Sequence, residues 1–496
     1  MRSDRKRQEK LEHKEMVKEA KRNRSSFSKF TKIWALIFFG LTLIMGAALV
    51  LANILASKFI LIAGLVMVLL LVIIVPALYS YKTKSLQRWL AFILSLVVAA
   101  VYVVGIRYLA TTMDFMSKVT NISAADEYYV VVRDDDMFME LGDIAGEVAH
   151  IYQSGSYEEA AAELLNKVEV EVSYEPNIAI MIENLLVGDS NVTVMNSGVY
   201  DTLKEANADF KDYTKILDTF KVAKTVADIS KKVPVTEEAF NIYISGIDTE
   251  GTIDVASRSD VNMIATINPK TKVILLTSIP RDYYVMLPDV EAYDKLTHTG
   301  VAGANYTIET VEKMLGVDIN YYVKVNFTTV VTLIDVVGGI DINSELAFTA
   351  SDGTYFSEGI NHVDGTAALR FARERYAFTD GDFQRNRNQQ IVVEALIKKM
   401  TQSSTLLFNY TDILGAVEGY MEMNMSSDDL KALIRMQTDD MASWDIIRQN
   451  ITGPTGSDYC YSVGQYASVV WQDQNSINAA IENIKAVMAG EHVTIE

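Results

Sequence analysis

The sequence predicts an α/β protein: a layered α/β/α domain around a central mixed sheet, preceded by a small α+β domain and three transmembrane helices. Three observations predict it. Long uncharged runs are confined to the N-terminal region. From about residue 240 onward, strand-like runs rich in Ile and Val alternate with amphipathic helical runs, the pattern of a sheet covered by helices. Between these regions lies a stretch that mixes short alternating strands with amphipathic pieces and acidic clusters.

The 496 residues suffice for two or three domains with their own cores. Twenty-five uncharged residues lie between Lys32 and Lys58, 23 between Lys58 and Lys82, and 18 between Arg88 and Arg107. Each can cross a hydrocarbon layer of roughly 30 Å as a helix, so residues 33–110 are expected to hold three spans. Pro76 falls near the end of the second, where a transmembrane helix tolerates it. The first run is too long, and too far behind polar residues, for a cleaved signal peptide. Residues 1–32 carry twelve Lys/Arg against five Asp/Glu, and Lys82, Lys84 and Arg88 cluster in the second loop. The positive-inside rule then places both in the cytoplasm and everything after about Ala110 outside the cell membrane.

The net charge of −19 argues against nucleic acid as a partner. The basic segment 1–32 suits anionic lipid head groups better than DNA. A single cysteine, Cys460, excludes an internal disulfide. A large external region without disulfides fits the outside of a bacterium better than an animal secretory pathway.

Residues 111–235 are expected to form the α+β accessory domain, with a boundary near Lys232–Pro234. YEEAAAELLNKV reads as an amphipathic helix, VEVEVSY as an alternating strand and NIAIMI as a short buried strand. DFKDYTKILDTFKVAKTVADISKK reads as a lysine-dotted helix. No convergent set of catalytic residue types occurs there. In 236–496, FNIYISGI, DVNMIATI and KVILLTSI read as strands, the last two joined by the turn NPKT. IETVEKMLG (helix), YYVKVNF (strand), TTVVTLIDVVGG (helix) and IDI (strand) follow, with further helices and the strand YASVVW near the end.

The stretch FARERYAFTDGDFQRNRNQQ places four arginines and two aspartates in twenty residues of an acidic chain. ALRFARER reads as a helix with Arg370, Arg373 and Arg375 at its C-terminal end, where cations meet the negative end of the dipole. FQRNRNQQIVVEALIKKM reads as a long helix. Asp382, Arg385, Gln389, Val392 and Leu396 are spaced 3, 4, 3 and 4 and share one face. Its apolar part must face the core, so Arg385 and Gln389 point the same way. That stripe suits a ligand with an anionic head and an apolar tail, since arginine is the preferred fork for phosphate oxygens. Surface ion pairing is the plain alternative, evenly balanced for Arg387.

SGIDT places Asp248 just beyond its strand, SRSDV places Arg258 and Asp260 just before the next, and SIPRDYY places Arg281 and Asp282 after a third. Open α/β sheets bind ligands at such strand ends. Each aspartate alone reads as a turn cap. Together with the arginines they point to Mg²⁺ beside a pyrophosphate. His298 in KLTHTG reads as an acid/base, a solvated loop residue or, preferably, a structural one.

SGIDT, SRSDVNMIATINPKTKVILLTSIPRD, DKLTHTG, INYYVKVNF, LIDVVGGIDI and RFARERY…DGDFQRNRNQQ, taken in order, resemble the LytR-CpsA-Psr family of Gram-positive bacteria. The three spans and the accessory domain resemble its streptococcal capsule-biosynthesis branch. The resemblance implies a membrane-anchored, extracytoplasmic phosphotransferase. Such an enzyme moves a glycopolymer, here capsular polysaccharide, from undecaprenyl pyrophosphate to peptidoglycan. It implies that Asp248 and Asp260 hold Mg²⁺, with Mn²⁺ as a substitute. Arg258, Arg281, Arg373, Arg375 and Arg385, joined by Gln389, would hold the pyrophosphate. Arg281, Arg373, Arg375, Asp382 and Arg385 would form the catalytic set, and Val392 and Leu396 would line an apolar tunnel for the prenyl chain. Membrane lipid and capsule-assembly membrane proteins are further implied partners. Two alternatives stay open: a regulator acting through the basic segment, and a hydrolase with water as acceptor.

Overall fold

A computed structural model describes the chain apart from residues 1, 81–82, 121–123, 225–226, 248–252, 254–256, 402–412, 414, 416, 418 and 496. The chain divides into two compact units. One comprises Met1–Asp114 with Ile434–Asp440, the other Phe115–Leu433 with Met441–Glu496.

In the first unit, α1 (Arg2–Ala52), α2 (Ser57–Tyr79) and α3 (Ser85–Thr120) contain three stretches long and apolar enough to cross a membrane: Phe27–Ala52, Ser57–Tyr79 and Ser85–Met116. The helices meet through Phe38, Ile74, Leu78 and Tyr102, all buried. Two polar side chains tie them together: Trp34 Nε1 donates to Ser95 Oγ at 2.8 Å, and Thr31 Oγ1 to the Leu78 carbonyl at 3.1 Å. Such bonds hold apolar helices where the hydrophobic effect between them is weak. Pro76 lies inside α2, as its position allowed.

The second unit holds two mixed sheets. The N-terminal sheet has the order β3-β2-β4-β1-β5. Its strands are β1 (Ala124–Arg133), β2 (Val148–Tyr152), β3 (Glu171–Glu175), β4 (Val192–Asn196) and β5 (Thr214–Lys224). Helices α4 (Tyr157–Lys167), α5 (Ile178–Val187), α6 (Ser197–Ala206) and α7 (Ala208–Tyr213) connect them. Two segments depart from the sequence reading. NIAIMI is the start of α5, because Asn177 Oδ1 caps it by accepting from the Ala179 and Ile180 amides and Gly188 ends it with φ 87°. Isoleucines at 178 and 182 then fall on one buried helical face with Leu185. The lysine-dotted segment is helical only to Tyr213. From Thr214 it is a strand paired antiparallel with β1 over its whole length.

The C-terminal sheet has the order β16-β11-β6-β7-β8-β17. It is built from β6 (Phe240–Ile247), β7 (Ser259–Asn268) and β8 (Val273–Ile279), then β11 (Tyr321–Asn326), β16 (Met421–Met423) and β17 (Asp445–Asn450). Strands β6, β8, β11 and β17 run one way; β7 and β16 run the other. Asn268 makes the β7–β8 turn, its Oδ1 accepting from the Lys270 and Thr271 amides. Short strands β9 (Tyr284–Met286) and β10 (Tyr293–Lys295) lead into α8 (Leu296–Thr299) and α9 (Ala304–Leu315). After α10 (Phe327–Val336) come β12 (Ile340–Ser344), β13 (Phe348–Thr349), β14 (Tyr355–Phe356) and β15 (Gly359–Val363). Then follow α11 (Gly365–Arg373) and α12 (Asp382–Thr401), and further along α13 (Ser427–Asp440), β18 (Thr455–Cys460), β19 (Gln465–Val470) and α14 (Gln474–Ala489).

The core has two faces. Tyr243, Ile264 and Ile279 of the sheet pack under Ile308 and Val311 of α9 and Ile477 and Ala480 of α14. On the opposite face Met263, Ala265 and Leu276 pack against Val393 and Ile397 of α12. This is the expected layered α/β/α arrangement around a mixed sheet. A buried amide fixes α12 in place: Gln390 Nε2 donates to the carbonyls of Leu276 on β8 at 2.9 Å and Gln449 on β17 at 2.7 Å.

Candidate active site at the strand ends

The carboxyl ends of β6, β8 and β11 and the start of β7 converge. Ile247 pairs with both Ser259 and Asn326, and Asn262 pairs with Ile279. Asp260 is the second residue of β7, inside the strand and not before it, at a bulge where the register with β6 passes from Val261 to Ser259 and skips it. Arg281 and Asp282 leave β8 after Pro280. Asp248 lies outside the described residues. Gly300, at the end of α8, abuts the start of β7 so closely that a Cβ there would lie 2.7 Å from the Ser257 carbonyl and the Ser259 amide.

Arg281 Nη1 donates to Asp260 Oδ1 at 3.0 Å, and the same oxygen accepts from Thr297 Oγ1 at 3.2 Å. Arg281 Nε stands 3.8 Å from Asp282 Oδ2, and Lys295 Nζ is 3.2 Å from Asp282 Oδ1. From α12, Arg385 Nη2 reaches Asp382 Oδ1 at 3.5 Å, and Arg375 Nη1 approaches that oxygen at 3.9 Å. Burial opposes the charge of Arg281, but Asp260, Asp282 and Asp382 outweigh it and push its pKa up. For Arg385 burial wins: its pKa is drawn below the ordinary value, Asp382 opposing and Arg281 adding to the depression. Those couplings place Arg281, Arg385 and three carboxylates in one cluster. Within it Arg281 Nε, Arg385 Nε and Arg385 Nη2 are buried and make no hydrogen bond among the described residues. Donors left this way in a low-dielectric site are costly unless an anion meets them.

The remaining arginines divide. Arg373, last residue of α11, stacks its guanidinium over the ring of Phe327, 4.6 Å from the centroid, where β11 passes into α10. Arg375 lies past the helix end, not within it. Glu374 terminates α11, its buried carboxylate accepting from Ser351 and from the Arg375 and Ala377 amides. The Arg375 guanidinium lies over Tyr376, 4.6 Å from the ring centroid. Arg258 ion-pairs with Glu205 of α6 in the N-terminal sheet domain. Burial would raise the Glu205 pKa, but Arg258, with Arg281 and Lys295 beyond it, holds it below its ordinary value. Arg387 pairs instead with Asp380 and with Glu345.

The stripe along α12 is realised. Arg385 and Gln389 are each 9 % exposed and Val392 3 %. Val392, with Leu396 at its margin, packs among Ile334, Val337 and Phe371. Sequence reasoning missed Lys295, Thr297 and Glu205. The motif DKLTHTG held both of the first two, Lys295 ending β10 and Thr297 in the first turn of α8, but no period in the motif marks them as sharing a side. Nothing local marked Glu205.

The donor set fits a hard cation held partly by its ligand. Among the described residues no group of three or more His, Cys, Asp or Glu could hold a metal alone. Carboxylate oxygens beside arginines suit Mg²⁺, which takes one or two carboxylates and completes its shell with phosphate oxygens and water. Asp282 Oδ1 is a further buried carboxylate oxygen without a hydrogen bond.

Residues 199–479 match the LytR_cpsA_psr family. The chain belongs to that family. The matched range starts inside α6, so it includes Glu205. A relative from Enterococcus faecalis (strain ATCC 700802 / V583), named polyisoprenyl-teichoic acid--peptidoglycan teichoic acid transferase TagU, is 37% identical over 228 residues, 45% of this chain and 73% of its own length. The protein of the same name from Bacillus mycoides (strain KBAB4) is 34% identical over 49% of this chain and 79% of its own. Among solved structures, B. subtilis TagV is 28% identical, with a TM-score of 0.42 over 52% of this chain and 99% of that one.

Proposed function

We propose that this LytR-CpsA-Psr protein transfers a glycopolymer from a polyprenyl pyrophosphate to peptidoglycan. The observation that carries the reading is the buried cluster of Arg281 and Arg385, in which Arg281 Nε, Arg385 Nε and Arg385 Nη2 make no hydrogen bond among the described residues, beside Asp260, Asp282 and Asp382. The names of its relatives support the same reaction class. In this reading residues 236–496 are the catalytic domain and 111–235 the accessory domain. The spans anchor both outside the cell, with the N-terminus in the cytoplasm. Capsular polysaccharide is the polymer that the three spans and the accessory domain favour.

Arg281, Arg385 and Arg375 grip the diphosphate oxygens, with Gln389 beside them, and Arg373 closes the rim. Their charge is fixed in place before the ligand arrives, so stabilising the diphosphate as the wall hydroxyl attacks its polymer-side phosphorus and polyprenyl phosphate departs needs little reorganisation. Mg²⁺, held by Asp260 and Asp248, would supply further neutralisation of phosphate charge. Asp382 orients Arg385 and Arg375 through its Oδ1. Asp282, ion-paired with Lys295, takes the proton of the attacking wall hydroxyl at Oδ1, which makes no hydrogen bond among the described residues. The apolar face at Val392 and Leu396 receives the start of the prenyl chain.

The test is reconstitution of the full chain in liposomes with undecaprenyl-pyrophosphate-linked polysaccharide and peptidoglycan. Polymer bound covalently to the wall is the expected product. EDTA should abolish it and Mg²⁺ restore it. Free polymer as the main product despite excess acceptor would replace this reading with hydrolysis.

A further inference from the structure

A cavity of about 610 Å³ lies between the two sheet domains of the second unit, and none of the site arginines lines it. Its accessory wall includes Tyr152, Ser156, Glu159 and Thr202; its catalytic-domain wall includes Asp289, His298, Tyr306 and Ser462. The interface around it is closely built. Gly464 has φ 66°, and a Cβ there would lie 2.3 Å from the Ala179 Cβ of α5. Val301 packs among Tyr152, Val199 and Leu203, and Gln465 Nε2 donates to the Ala206 carbonyl.

One turn of chain serves both this cavity and the arginine cluster. Lys295 and Thr297 reach Asp282 and Asp260. On either side of them in the chain, Asp294 and His298 line the cavity, His298 Nδ1 lying 2.6 Å from Asp294 Oδ1 and 3.0 Å from Ser462 Oγ. Asp294 Oδ2 accepts from the Ser462 amide at 2.7 Å, so that wall is fixed from both sides.

The lining states what the cavity accepts. No lysine or arginine lines it among the described residues, while Glu159 and Asp289 do. The field is negative: after burial, Asp289 is the next cause that pushes the Tyr306 hydroxyl pKa up, and Asp294 and Asp289 both act on Tyr152. A phosphate or carboxylate is therefore repelled. The hydroxyls of Ser154 and Tyr461 can donate or accept, those of Ser156 and Thr202, which donate to Asp126 Oδ2 and the Gly198 carbonyl, can accept, and Leu287 and Val290 add apolar surface. Carboxylates, hydroxyls and tyrosine rings around an apolar patch are complementary to a sugar, whose hydroxyls ring an apolar face. The volume is within the usual range for small-ligand sites, about 300–1,000 Å³.

We propose that this interdomain cavity is a saccharide-binding site that takes a neutral or N-acetylated segment of a glycan. Only its relation to the diphosphate rests on the transferase reading. There the bound sugar belongs either to the wall glycan or to the glycopolymer, one turn of chain from the reacting centre. Full-length protein in detergent micelles, titrated with chitotetraose and separately with maltotetraose and followed by saturation-transfer NMR, tests it. At least one should bind; preference for chitotetraose assigns an N-acetylated glycan, the reverse a polymer without acetamido groups. Glu159→Gln with Asp289→Asn, both at exposed positions, should weaken binding about tenfold. Inorganic pyrophosphate should not displace the sugar. Binding of neither saccharide, unchanged affinity in the double variant, or displacement by pyrophosphate would each overturn the proposal. The titration needs no transfer, so failure of the transferase reading leaves this result standing.

Discussion

Arg133 and Arg385 stand in the two sheet domains of the same unit, both partly or wholly withdrawn from solvent, and they are satisfied in opposite ways. Arg133, at the end of β1, gives Nη1 to the Leu185 and Ser190 carbonyls at 3.0 Å each and Nη2 to Asp136 at 2.9 Å. Every contact is to a neighbour in its own domain, and it fastens the ends of β1, α5 and β4 together. Arg385 has Asp382 at 3.5 Å and leaves two nitrogens without hydrogen bonds among the described residues. An arginine spent on backbone carbonyls holds a fold; one facing unmet donors inward holds a place for an anion. The difference comes from the strand ends. The start of β7 carries Asp260 and the end of β8 leads into Arg281 and Asp282, whereas β4 ends in Asn196, which caps α6 by accepting from the Gly198 amide.

The sharpest way to break this comparison is to exchange the outcomes. Arg385→Ala should lower transfer about a hundredfold or more without lowering the thermal midpoint, as read by wall-linked polymer and by melting of the same preparation. Loss of stability with transfer intact would make Arg385 a second Arg133. Next in size, Arg133→Ala should destabilise the protein by about 2 kcal/mol, since it strands two carbonyls, while the folded fraction transfers normally. Chemical denaturation gives the first quantity and the reconstituted assay the second.

A pH scan sharpens the domain boundary. Burial pushes the Asp294 carboxyl up, but His298 and Ser462 prevail and hold it below its ordinary 3.8. The unfolded chain therefore binds that proton more readily. Stability from this network is fully present above about pH 4 and is lost as pH falls through the folded value. Asp294→Asn should remove that part of the acid dependence, measured as the slope of unfolding free energy against pH below 4. The smallest effect expected is from Glu205→Ala. Its pair with Arg258 is half exposed on the carboxylate side, so pyrophosphate affinity should rise by less than about fivefold. A fall in affinity would instead make Glu205 part of the grip.

The sequence was most legible where one face is apolar at a fixed period. The β6, β7 and β8 runs are buried nearly throughout, and the 3, 4, 3, 4 spacing along α12 left only one way to orient Arg385. It misled where long-range pairing decides. Thr214–Lys224 has helix-tolerant lysines, and its strand state comes from pairing with β1, some ninety residues earlier. NIAIMI has strand-like isoleucines, and a cap and a terminating glycine make it a helix. Arg375 was read as part of the helix, two residues past its actual end, because Glu374, which caps α11, looks like any helical glutamate until Ser351 reaches it. The pairing of Arg258 with Glu205 is a contact between two folded domains, which no local pattern encodes.

Gln390 carries one last implication. Its amide pins α12 to β8 and β17 at once, and β8 is the strand that delivers Arg281. Two mutually repelling cations are thus kept at fixed spacing by a neutral clamp a turn away. The resting protein holds that repulsion as a load, and an arriving diphosphate discharges it. Occupied protein should accordingly melt later than empty protein, and cutting the clamp with Gln390→Ala should let the two guanidiniums drift apart and shrink that gap.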